Sequence, residues 1–127
     1  VRVEIRDFLT ADVGPVDAAV MNPPYIRHRE IRDKSPVRMV ASISGVTIPK
    51  SANLYVSFVI KACLSLRVGG RAAILIPSEW MSANFSTSLK KFLLDGFLKE
   101  VLYFSHASTI FHDALTTASV LMIERDR

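Results

Sequence analysis

Four consecutive residues, Asn22-Pro23-Pro24-Tyr25, carry the clearest chemistry in the chain. An exocyclic amine on a planar ring is a poor nucleophile because its lone pair is delocalised. Two acceptors that take both N–H bonds draw the nitrogen towards tetrahedral geometry and turn the lone pair out of the plane. Asn22 offers a side-chain oxygen for one of those bonds. Pro23 offers a backbone carbonyl, and its own nitrogen carries no hydrogen to compete. Tyr25 can stack on the ring face and hold its plane. The group attacked would be an electrophilic methyl, and catalysis would rest on positioning and polarisation rather than on a strong base. A proline-stiffened turn accounts for the two prolines alone. It does not account for an amide before them and an aromatic after them.

These residues need elements to hold them. Val1 to Arg6 alternates apolar and charged residues and reads as a short strand. Val16 to Met21 is an apolar run that stops at the tetrad, because two prolines cannot continue a sheet interior. Residues 26 to 50 carry Pro36, Gly45 and Pro49 without a sustained period, which predicts a long, mobile loop with one short helix. Leu54, Phe58, Ile60, Ala62, Leu64 and Leu66 predict a mostly apolar helix from Ser51, ending at Gly69-Gly70. Arg71 to Ile76 reads as a strand in a sheet covered on both faces. Ser82 to Leu94 reads as an amphipathic helix with Phe85, Leu89, Phe92 and Leu93 on one side and Gly96 as its stop. Val101 to Phe104 and Ala118 to Glu124 read as strands. The alternation predicts an open α/β sheet with helices on its faces, ending in an antiparallel pair at one edge. Ligands of such sheets sit at the carboxyl ends of the strands, where Asp7, Asn22 and Pro77-Ser78 fall.

A chain of 127 residues, half of them hydrophobic, suits one domain with a core. No apolar run reaches the ~20 residues of a membrane span, and no signal-peptide layout opens the chain. The single cysteine, Cys63, excludes an internal disulfide framework and suits a reducing, cytoplasmic setting. His28, His106 and His112 lack metal-ligand spacing, so no metal site is expected. The net charge is +4, and the window Arg27 to Arg38 holds five basic residues (Arg27, Arg29, Arg32, Lys34, Arg38) against Glu30 and Asp33. A local basic excess suits a phosphate backbone, although a solvated loop of mixed charge has the same composition.

The tetrad resembles the signature of S-adenosylmethionine-dependent amino-methyltransferases. Further segments follow in the family's order. Arg6-Asp7-Phe8-Leu9 precedes Asn22 like the cofactor-adenine segment. Asn53-Leu54-Tyr55-Val56-Ser57-Phe58, Leu66-Arg67-Val68-Gly69-Gly70 and Ile74-Leu75-Ile76-Pro77 resemble the next helix and strand. Ile110-Phe111-His112-Asp113-Ala114 resembles a loop that contacts the target base. The extended form Asn-Pro-Pro-Tyr-Ile-Arg is similar to the gamma-class DNA adenine-N6 methyltransferases of type II restriction-modification systems. The resemblance implies a partial Rossmann-like methyltransferase sheet, mostly parallel, and double-stranded DNA as partner. It implies that Asn22, Pro23 and Pro24 form the amine-binding turn, and that Tyr25 and Phe111 contact a flipped adenine. Asp7, Phe8 and Phe58 would hold the cofactor's adenine, and Arg27, Arg29, Arg32 and Lys34 would touch the DNA backbone. Asp7 also fits a plain turn, Phe58 a core position and Phe111 an edge-strand aromatic.

Two departures qualify this. None of the five glycines (14, 45, 69, 70, 96) stands as Gly-x-Gly after a strand, so the loop that holds the cofactor's methionine half in the family is missing. There is also no room for a target-recognition domain. Residues 1–127 therefore read as the C-terminal part of a catalytic domain, inactive alone, with an exposed strand edge. That edge is expected either to drive self-association or to be filled by the chain's own first strand. Methylation of a glutamine amide or an RNA amine shares the same logic, and a non-catalytic nucleic-acid-binding fragment and a metal hydrolase are further alternatives.

Overall fold

The computed structural model describes residues 1–104 and 117–127. Its strands are β1 (Val16–Met21), β2 (Leu66–Pro77), β3 (Leu98–Phe104) and β4 (Ala118–Glu124), and its helices are α1 (Ser35–Ser44), α2 (Tyr55–Ser65) and α3 (Thr87–Leu94). The sheet order is β1-β2-β4-β3. β1 and β2 run parallel, whereas β4 is antiparallel to both its neighbours. The α/β class and the closing antiparallel pair follow the sequence reading. The described sheet is mixed rather than mostly parallel, because β4 lies antiparallel between β2 and β3 and leaves one parallel pair of three.

α2 is the hub. It is buried on nearly every side, with Tyr55, Val59, Ile60 and Cys63 fully enclosed. It packs against α1 and against β2, whose Leu66, Ile74 and Ile76 face the same core with Leu121 and Ile123 of β4. Burying one such side chain contributes about 1.5–3 kcal/mol. Arg125 closes the C-terminal end of α2, its Nη1 donating to the carbonyls of Leu64 (3.0 Å) and Leu66 (2.6 Å). Those carbonyls have no helical partner, and a cation suits that end of the helix dipole.

Three expectations are corrected. Val1 to Arg6 pairs with no strand and is exposed throughout. Its charges pair within the segment, Glu4 with Arg2 and Arg6, and its three apolar side chains meet no face of the core. The edge of β1 is therefore not filled by the chain's own N-terminus. The helix stops at Ser65, not at the glycines, because Leu66 is already extended (ψ 142°) and begins β2. Gly69-Gly70 lies within β2, where a Cβ on Gly70 would meet the Val16 carbonyl at 3.1 Å. The glycine pair thus allows β2 to start tightly against β1, beside the register shift between Val16 and Ala18. The third helix starts at Thr87, after a 3₁₀ turn at Asn84–Ser86. There the Ser86 hydroxyl donates to the Ala83 carbonyl (2.6 Å), a local bond that competes with helix continuation. The one helix expected between residues 26 and 50 is α1, anchored by buried Val37 and Val40.

Burial pushes the Cys63 thiol up to about 12 from an ordinary 9.0, with Arg125 pulling weakly the other way. The unfolded chain releases this proton near 9.0 and the folded chain keeps it to about 12. The thiol's contribution to stability is therefore intact below pH 9.0 and is lost as the pH rises towards 12, by about 1.4 kcal/mol per pH unit. Urea unfolding across this range is expected to show a shallower pH slope in Cys63→Ala, and equal slopes would refute the assignment. Tyr55, also raised by burial, retains its own alkaline slope in both proteins.

Candidate functional site

β1 ends at Met21, and the tetrad forms the turn that follows. Pro23 is buried, whereas Asn22, Pro24 and Tyr25 are exposed. The chain then rejoins the core at the start of α2. Asn53, only 5% exposed, accepts the Ile26 N–H at Oδ1 (3.0 Å) and the Tyr55 N–H at the same oxygen (3.3 Å). Leu54 N–H donates to the Ile26 carbonyl (2.8 Å). The tetrad is thereby latched on both sides of Ile26 to the first turn of α2.

Tyr25 is half exposed, and one face of its ring lies on Tyr55, with centroids 6.0 Å apart and planes inclined by 18°. Tyr55 is fully buried and meets Phe85 edge-on at 6.4 Å. Glu79, in the turn after β2, joins the two tyrosines. Its Oε2 accepts the Tyr25 hydroxyl (3.2 Å) and its Oε1 the Tyr55 hydroxyl (3.4 Å). Burial, then the Glu79 charge, raises the Tyr25 phenol above its ordinary value, while Arg27 opposes the rise. Burial and Glu79 likewise push Tyr55 well above the ordinary tyrosine range. Both hydroxyls therefore remain donors at neutral pH.

A cavity of about 360 Å³ opens beside Tyr25. Arg27, His28, Arg29 and Lys50 line it, with Asn53 and Glu79. Arg27 caps the short turn His28–Glu30, which carries His28 and Arg29. Burial lowers the His28 pKa, and the fields of Lys34 and Lys50 lower it further.

The sequence-predicted residues separate into groups. Asn22, Pro23, Pro24 and Tyr25 share one turn, and Arg27 and Arg29 join Tyr25 at the cavity. Arg32 and Lys34 are not among the cavity residues. Phe8 and Phe58 come together, stacked at 5.6 Å and 24°. Asp7 uses Oδ1 to accept the Leu9 N–H (2.9 Å), the turn geometry that its sequence position also allowed. Phe111, His106 and His112 lie outside the described residues. Among the described residues no three His, Cys, Asp or Glu side chains gather as metal ligands. Sequence reasoning did not single out Glu79, Lys50 or the latching role of Asn53. The one available signal for Glu79 was its place just past Pro77-Ser78, at a strand's carboxyl end.

Comparison with known proteins gives the chain's family and fold. Residues 4–111 match the family described as Eco57I restriction-modification methylase. The type II methyltransferase M.AccI of Acinetobacter calcoaceticus is 27% identical over 128 residues, covering 99% of this chain and 24% of that protein. The methyltransferase subunit of a type I restriction-modification system from Streptococcus thermophilus superposes with a TM-score of 0.72 at 24% identity, over 96% of this chain and 26% of that one. A candidate class I S-adenosylmethionine-dependent methyltransferase from Listeria monocytogenes superposes with a TM-score of 0.72 at 16% identity, over 94% of this chain and 35% of that one. The chain thus has the fold of these methyltransferases and spans about a quarter of the curated relative's length.

The Glu79 bridge predicts opposite shifts from two substitutions. Glu79→Gln removes the charge that opposes the Tyr25 phenolate, so the Tyr25 pKa falls. Arg27→Ala removes a stabilising cation, so it rises. Alkaline titration of the Tyr25 ring followed by NMR measures both, and no change in Glu79→Gln would show that the bridge does not form.

Proposed function

The chain belongs to the Eco57I restriction-modification methylase family, and we propose that it carries the amine-binding side of a DNA adenine-N6 methyltransferase. The observation that bears most weight is the placement of Tyr25. One ring face is backed by Tyr55 and the hydroxyl is held by Glu79, which leaves an aromatic platform directly after Asn22 and Pro23 at the end of β1. A flipped adenine stacks on that platform. Asn22 Oδ1 and the Pro23 carbonyl accept the two N–H bonds of its amine and tilt the lone pair out of the ring plane. Phe111 contacts the base from another side. Arg27, Arg29, Arg32 and Lys34 follow the DNA backbone.

Bound S-adenosylmethionine supplies the electrophilic methyl. The residues present suit its adenine end. Phe8 and Phe58 offer a stacked apolar pair, and Asp7, one residue before Phe8, offers a carboxylate to an adenine amine. The methionine end has no Gly-x-Gly turn to meet it in these 127 residues. We therefore read the chain as the C-terminal part of a catalytic domain, inactive by itself; a cytoplasmic location is proposed from the restriction-modification family alone. No described helix is long and apolar enough to cross a membrane.

The test is methyl transfer by the full-length protein, with labelled S-adenosylmethionine and mixed-sequence duplex DNA, followed by nucleoside analysis. N6-methyladenine is expected. Asn22→Ala should lower kcat by about 100-fold or more, the scale seen when one polarising hydrogen bond is removed. Tyr25→Ala should cost about 1–3 kcal/mol of base stacking, read mainly in KM. Label in protein or RNA instead of DNA would overturn the substrate assignment. Turnover by the 127-residue chain alone would overturn its inactivity.

We also propose that the isolated chain self-associates through β1. Among the described residues β2 is its only partner strand, and Val20 is 91% exposed on the face opposite the helices. Val20→Lys places a charge on that edge and is expected to shift the chain towards monomer in analytical ultracentrifugation. A wild-type monomer at all concentrations would refute this.

A further inference from the structure

The cavity beside Tyr25 has a divided lining. Arg27, His28, Arg29 and Lys50 present cationic or hydrogen-bonding groups, and Glu79 is the one carboxylate among the lining residues. Both oxygens of Glu79 are engaged by the tyrosine hydroxyls. No described carboxylate forms an ion pair with Arg27, Arg29 or Lys50, whereas Arg67, Arg71, Lys99 and Arg127 each have one. Clustered cations around a concave space repel one another unless an anion joins them. His28 is held towards its neutral form by burial first, and then by the fields of Lys34 and Lys50.

We infer that this cavity is a phosphodiester subsite, in which Lys50 and Arg29 grip the backbone of the nucleotide whose base rests on Tyr25. Lys50 lies outside the basic window of the sequence and reaches the cavity from the segment before α2. The volume of about 360 Å³ accommodates a phosphate with its sugar. Glu79 disfavours an anion at the tyrosine end, so the charged backbone and the neutral base are directed to different walls. The inference rests on the base-platform reading above, in which Arg29 already follows the backbone, and adds Lys50 and the cavity that holds the phosphate.

The test uses the full-length protein and a fluorescent oligo(dA), whose bases are accessible without unpairing. Affinity is measured by anisotropy from about 50 to 200 mM salt. Each phosphate contact to a single strand contributes about 0.7 to the slope of log K against log salt. Lys50→Gln and Arg29→Gln are each expected to make the slope shallower by about 0.7. Lys91→Gln, an exposed residue of α3 that does not line the cavity, is expected to leave it unchanged. A methylphosphonate oligo(dA), with neutral linkages, should bind both cavity variants and wild type alike. Unchanged slopes in both cavity variants, with wild type still binding DNA in a salt-dependent way, would overturn the subsite and leave the methyltransferase reading standing. Wild-type protein that binds no oligo(dA) would instead overturn the subsite together with the DNA reading. Lys50 and Arg29 are both exposed, so the substitutions do not disturb the core.

Discussion

One carboxamide oxygen, Asn53 Oδ1, ties the tetrad to the rest of the molecule. It accepts the Ile26 and Tyr55 N–H groups, and the adjacent Leu54 N–H closes a third bond to Ile26. The need for an external anchor follows from the tetrad's composition. Pro23 and Pro24 carry no N–H, so two successive residues cannot donate to a ladder or a turn. The first backbone donor after them that ties the loop to the core is the Ile26 N–H. Because Asn53 also serves Tyr55, the same oxygen that fixes the turn fixes the start of α2 and the ring on which Tyr25 lies. Replacing it would leave buried backbone donors without partners on two elements together, a loss larger than one hydrogen bond.

The sheet shows a second constraint, through its two unequal faces. Ile74, Leu121 and Ile123 point into the helical core. Their neighbours Ala73, Leu75, Val120 and Met122 point to the opposite face and are only partly buried. On that face Val20 and Leu102 are exposed and apolar. An apolar run without alternation is the pattern of a strand covered on both sides. The sequence of β2 thus carries a requirement that the described residues meet on one side only, and the bare edge of β1 continues the same open surface.

Legibility in the sequence tracked how local the determining physics is. Val16–Met21 and Ala118–Glu124 were readable to the residue, because a strand bounded by prolines or by charge is defined within its own span. Val1 to Arg6 has an alternating pattern just as clear, yet no strand forms. Alternation requires a neighbour and a core face, and neither is encoded in those six residues. The Gly69-Gly70 pair was read as a helix stop because glycine marks both helix ends and close approaches. Only the distance to Val16 on another strand distinguishes them. The site divides in the same way. Asn22 to Tyr25 is a contiguous word, and its place in the turn after β1 follows from its own span. Glu79 and Lys50 enter the site from segments 54 and 25 residues beyond Tyr25, and topology alone brings them there.

The choice of a carboxylate at position 79 has a physical logic that joins these pieces. A carboxylate gives each of the two tyrosine hydroxyls its own acceptor oxygen, Oε2 for Tyr25 and Oε1 for Tyr55. Burial and then its charge raise both phenols, which keeps both rings protonated further into the alkaline range. That charge shares the cavity with Arg27, Arg29 and Lys50, and Arg27 opposes its effect on Tyr25 without an ion pair among the described residues. The arrangement places an uncharged aromatic face beside a positive rim, with the single negative group turned towards the tyrosines. A nucleotide has the matching division, a neutral stacking base joined to an anionic backbone, and the spatial order of the site follows that division.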